Sequence, residues 1–163
     1  MIEYELNKAD EQNLLKFFNE LPEYSRVLFL ENGDELDYSA EFFENWLIEN
    51  KIQYNCLFDI KSLPMAYIIN QINEFDVIIF QTTWTYERSF EIKQLLTEDS
   101  LITRKKIVIE SMMSFDPSWY EIPHGVKHDM YFLRPQKSRK LKDNMQFVKL
   151  AQDVRYWDRY GKF

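Results

Sequence analysis

The sequence predicts an α/β protein built around a parallel sheet, and three observations predict it. Apolar runs recur at VLFL (27–30), VIIF (77–80) and IVI (107–109), without the polar alternation of a half-exposed strand. Segments with apolar residues at helical spacing separate them. The breaks between the two kinds of segment carry Pro, Asn-Gly, Asp and Ser, the residues that end strands and start helices.

Taken in order, Ile2, Tyr4 and Leu6 alternate and suit a short edge strand or an ordered arm. Asn7, with Asp10 three positions on, can cap a helix over 8–20 in which Leu14, Phe17, Phe18 and Leu21 repeat at helical spacing and which Pro22 ends. The chain then reads as strand 26–31, helix 38–50, strand 54–60, helix 64–73, strand 75–81, helix 86–96 and strand 106–110. Asp37 and Ser39 are good caps for the helix containing Phe42, Phe43, Trp46 and Leu47, and Pro64 fits a first helical turn. Alternating strands and helices imply βαβ units, hence a Rossmann-like or flavodoxin-like parallel sheet of four to five strands with helical additions at both ends. Residues 111–125 read as an irregular connection, 130–133 as a fifth strand, and 138–160 as a final helix bearing Leu141, Met145, Val148, Val154 and Trp157. A single domain over 1–163 is expected: arm and helix (1–25), sheet core (26–133) and a basic C-terminal helix (134–163).

Composition narrows the function classes. At 163 residues and 45% hydrophobic content, one core can bury roughly 70% of the unfolded surface. Three glycines exclude the dinucleotide fingerprint and the P-loop, which need more of them at fixed spacing. Lone Cys56 falls in a predicted strand and reads as a buried thiol. The first residues, MIEYELNKADE, carry no leader pattern, and no apolar run approaches about 18 residues, so a cytoplasmic protein with no membrane partner is expected.

Charge is divided unevenly. Residues 1–133 hold 11 basic and 24 acidic side chains, residues 134–163 hold 9 and 3. The basic tail, with Arg134, Lys137, Arg139, Lys140 and Lys142 followed by Tyr156, Trp157, Tyr160 and Phe163, has the makings of a phosphate- and base-binding surface. It suits better a helix docking on the acidic body or on a second subunit, giving self-association. The acidic body would repel duplex nucleic acid.

Right-handed βαβ connections bring the carboxyl ends of the strands to one rim, where open α/β sheets bind ligands. There the sequence places Asn32 and Asp34 after the first long strand, Gln81, Thr82, Thr83 and Trp84 after the third, and Ser111 after the fourth. Two threonines at a helix start offer hydroxyls beside free backbone N–H groups, an anion site needing no glycine motif; the same residues also serve as plain helix caps. Glu31, Asp34 and Asp37 group oxygens that suit Mg²⁺ or simply cap a helix. His124 and His128 stand four apart, but Pro123 and Gly125 argue for a turn there. No metal site is expected, and the sequence identifies no cofactor.

The run DVIIFQTTWTYERSFEIKQLL (76–96) resembles the N-terminal, pre-ATP-grasp domain of glutathione-synthetase-like ligases, and DYSAEFFENWLIENKIQY (37–54) is similar to that domain's first helix and following strand. That family keeps its ATP-binding and catalytic residues in later domains, so the resemblance implies a fold and no catalytic residue. In strand and helix order the chain also resembles the TIR and nucleoside-deoxyribosyltransferase group. Phe90-Glu91-Ile92 looks like the Glu-Ile pair of that group's helix, implying Glu91 as a carboxylate acting on an N-glycosidic bond. The expected function is binding of a small phosphorylated ligand, a nucleotide or nucleotide derivative, through Gln81, Thr82, Thr83, Trp84, Asn32, Asp34, Ser111 and Arg139. A glycosidic-bond-cleaving enzyme using Glu91 and a protein–protein interaction module are the alternatives.

Overall fold

The computed structural model describes residues 4–6, 8–32, 38–82, 87–98, 101–112, 126–136 and 143–149. They form β1 (Tyr4–Leu6), α1 (Lys8–Asn19), β2 (Val27–Leu30), α2 (Tyr38–Glu49), β3 (Asn55–Leu57), a 3-10 turn (Ile60–Ser62), α3 (Met65–Glu74), β4 (Val77–Thr82), α4 (Glu87–Glu98), β5 (Ile107–Met112), β6 (Asp129–Gln136) and β7 (Asp143–Lys149). One sheet runs β1-β7-β6-β5-β4-β2-β3. Its five strands β3-β2-β4-β5-β6 are mutually parallel, in register Leu28↔Ile78, Ile78↔Val108 and Val108↔Met130. This is the flavodoxin-like order 2-1-3-4-5, and the expected fold class holds.

Strand parity divides the core into two layers. Leu28, Leu30, Ile78, Phe80, Val108 and Met130 pack with Ile68 and Ile72 of α3 and with Ile92, Leu95 and Leu96 of α4. Val27, Phe29, Val77, Ile79 and Ile109 pack with Leu14 of α1 and with Phe43, Trp46 and Leu47 of α2. The second layer uses the aromatic content: Phe43 stacks on Trp46 at 6.0 Å, and Phe17 meets Tyr131 at 4.8 Å. The helix after β2 thus covers one face and the helix after β4 the other.

Two sequence expectations are corrected. The helix expected over 138–160 is a strand across Asp143–Lys149, antiparallel to β6 (Phe132↔Val148) and parallel to β1 (Tyr4↔Asp143). Met145 and Phe147 alternate with Asn144 and Gln146, a strand's period, and a free edge of β6 was there to pair with. The other residues of that segment, 137–142 and 150–163, lie outside the described ones, and a basic C-terminal helix spanning 134–163 does not survive. The strand expected over 54–60 ends at Leu57, because Asp59 turns the backbone left-handed (φ 55°) into the 3-10 turn, a conformation aspartate tolerates better than most residues.

Candidate functional site

A polar network lies under the carboxyl rim between β2 and β4, built from residues that the apolar strands deliver to their ends. Asn32, two positions past β2, donates from Nδ2 to the backbone oxygen of Gln81 on β4 at 3.3 Å. Ser89 of α4 donates from Oγ to Asn32 Oδ1 at 3.0 Å. All three side chains are buried, so one carboxamide ties two strand ends to a helix. Four residues along the same helix face, Lys93 pairs with Glu110 of β5 at 3.1 Å, where Glu110 is fully buried and Lys93 is 15% exposed.

Position in the topology makes this network more than a packing detail. The chain leaves β2 for β3 on one side of the sheet and returns to β4 on the other, so the β2/β4 boundary is the topological switch point, where crevices open in such sheets. Gln81 shares the parity of Val77 and Ile79 and is 3% exposed, and its Oε1 has no hydrogen-bond partner among the described residues.

Of the sequence-predicted site residues, the structure brings Asn32 and Gln81 together. Thr82 closes β4, paired in register with Met112, and Ser111 lies on β5 opposite Gln81. Asp34, Thr83, Trp84 and Arg139 lie outside the described residues. Glu91 stands on α4 with its side chain 54% exposed, in an ion pair with Arg88 at 3.1 Å. Glu87 occupies the first turn of the same helix, a charge that opposes an anion there.

Sequence reasoning missed a second cluster. Glu31, expected to group with Asp34 and Asp37, instead meets Glu44 of α2 and Cys56 of β3, one ligand atom from each lying within 4.8 Å of the others. Two carboxylates and a thiol are donor types that zinc accepts. Cys56 donates to Glu31 Oε2 at 3.4 Å, and Tyr54 donates to Glu44 Oε1 at 3.2 Å. Desolvation and the Glu44 charge push up the Glu31 carboxyl, the Cys56 thiol and the Tyr54 phenol, the last to about 12. Cys56 is thus exposed, contrary to the buried thiol expected, because β3 is an edge strand. Only the register Phe29↔Cys56 brings these residues together, and nothing local in the sequence specifies it.

At the opposite, amino edge of the sheet, charges are paired among themselves. A cleft of about 380 Å³ opens between Pro22–Ser25 and Lys105–Ile107, but Lys105 pairs with Asp129 at 3.1 Å, and Asp76 accepts from the Arg26 backbone at 2.8 Å. His128, weighed with His124 as a metal ligand, is 1% exposed and accepts at Nδ1 from the Lys106 backbone N–H; His124 lies outside the described residues. Among the described residues no helix is long and apolar enough to cross a membrane.

A scan of the chain against protein-family models found no match, and a search of curated proteins found none either. The two family resemblances therefore share with this chain a parallel α/β architecture, and neither gains support beyond it.

Proposed function

We propose that the protein binds a small phosphorylated ligand, a nucleotide or nucleotide derivative, at the carboxyl rim between β2 and β4. The observation that carries this reading is the buried Asn32–Gln81–Ser89 network at the switch point. A rim serving only to close the core would be cheaper to build from apolar side chains, since each buried polar group must find a partner. Polar groups concentrated where the sheet's connections diverge suit the floor of a ligand crevice. Thr82 and Thr83 would supply hydroxyls to phosphate, Trp84 a stacking face, and basic residues of the tail such as Arg139 the countercharge.

Glycosidic-bond cleavage by Glu91 draws less support. A catalytic carboxylate of that kind works from a water-poor pocket, whereas Glu91 is exposed and ion-paired with Arg88. Titrating the protein with nucleoside mono-, di- and triphosphates by calorimetry tests the proposal. Saturable binding with Kd below about 1 mM is the expected result. A panel with no saturable member would overturn it, and free base released from NAD or deoxynucleosides would favour the enzyme instead.

A further inference from the structure

Gln81 lends the network only its backbone oxygen, and its own side chain shares the parity of Val77 and Ile79, whereas Asn32 continues that of Leu28 and Leu30. The Asn32 carboxamide is engaged at both ends and the Ser89 hydroxyl is engaged with Asn32, whereas among the described residues Oε1 of Gln81, itself 3% exposed, accepts no hydrogen bond. A buried acceptor without a donor is unfavourable in the free protein and becomes an asset when a ligand brings the donor. The donor cannot be phosphate at neutral pH, whose oxygens accept and would repel a carbonyl oxygen. The phosphate end of a ligand must therefore lie elsewhere on the rim, leaving the strand end at Gln81 for the other end of the molecule.

We infer that Gln81 is the specificity-determining residue for a 6-amino-purine base, its carboxamide oxygen accepting from the exocyclic amine. A glutamine side chain presents an acceptor and a donor on one carbon, the complement of an adenine edge with its amino group beside a ring nitrogen. A base edge with only acceptors would leave Oε1 as it is in the free protein. This assignment rests on the ligand-binding reading above and narrows it to one base class.

The test compares ADP with purine riboside diphosphate, which lacks only the 6-amino group, by calorimetric titration of the full chain. ADP should bind about tenfold or more tightly than the analogue. Gln81→Met, similar in length and unable to accept or donate, should abolish the difference between ADP and the analogue by weakening ADP the more, with a thermal melt checking that the variant is folded. Equal binding of ADP and analogue to the unmodified protein overturns the amino-purine assignment and leaves the phosphorylated-ligand reading standing. Failure of both to bind, while another nucleotide does, also overturns the assignment alone; failure of every phosphorylated compound overturns both.

Discussion

The backbone N–H of Lys106 donates to Nδ1 of His128 at 2.8 Å, joining the entries of two neighbouring parallel strands, β5 and β6, through a ring that is 1% exposed. The Lys106 ammonium turns the other way and donates to the Phe75 carbonyl at 2.5 Å and the Asn73 carbonyl at 3.3 Å, capping the end of α3. Desolvation, reinforced by neighbouring Lys127, pulls His128 down from 6.5 to about 4, and desolvation, reinforced by Arg104, lowers Lys106 to about 8.

This arrangement gives the fold an acid-sensitive joint. The folded state holds His128 neutral where the unfolded chain would protonate it, so stability is intact above about pH 6.5 and falls as pH drops from there toward 4. The loss should reach about 3 kcal/mol, read as a falling urea midpoint. His128→Asn, which keeps an acceptor and removes the titration, should flatten this slope, and an unchanged slope would place the acid sensitivity elsewhere.

Ile79 lies on β4, the middle one of the five parallel strands, fully buried in the α1/α2 layer. Ile79→Ala should cost about 2 to 5 kcal/mol in chemical denaturation. A cost below about 1 kcal/mol would mean that the layer collapses around the gap.

Lys93 and Glu110 form a buried pair whose halves should fail separately. Lys93→Met removes the cation beside a buried carboxylate and should cost about 3 to 5 kcal/mol. Combining it with Glu110→Leu should restore most of that loss. If the double variant is as unstable as the sum of the singles, the two side chains are not coupled.

Cys56 is exposed, yet partial desolvation and the Glu44 and Glu31 carboxylates hold its thiol above the ordinary range. Alkylation at pH 7.5 should be markedly slower than for a small free thiol, and Glu31→Gln should speed it. Equal rates for the protein and the small thiol would count against this electrostatic shielding.

The ligand reading makes its own demands at the residues after β4. Trp84→Ala should weaken nucleotide binding roughly tenfold to a hundredfold without changing the melting temperature. Thr83→Val should weaken phosphorylated ligands more than their nucleosides. Glu91→Gln should leave binding untouched, whereas loss of a turnover activity on that change would identify a glycosidase.

Much of the sheet was legible because its strands are buried on both faces and announce themselves as unbroken apolar runs at 27–30, 77–80 and 107–109. The strand β7 was not, because Leu141, Met145 and Val148 satisfy a helical period while Met145 and Phe147 satisfy a strand's; pairing with β6 and β1, distant in sequence, decides between them. Asn32 and Gln81 were legible as rim residues from their places at the carboxyl ends of two apolar runs. Their tie to Ser89 was not, since it spans 57 positions and a serine mid-helix carries no local mark of it. The burial of Lys106 and His128 was hidden for the same reason: residue type argues for exposure, and only the folded neighbours supply the partners.

The pairing of β1 with β7 has a consequence in time. Tyr4 meets Asp143, so among the described residues β1 waits for a strand made much later in the chain before it gains a sheet partner. The parallel core from β2 to β6 needs neither strand for its own ladder, and the β7–β1 edge closes across the longest loop in the sheet, the kind of contact whose entropy cost delays it. Until then the outer side of β6 is an open template, and any second chain offering a strand like β7 competes for it.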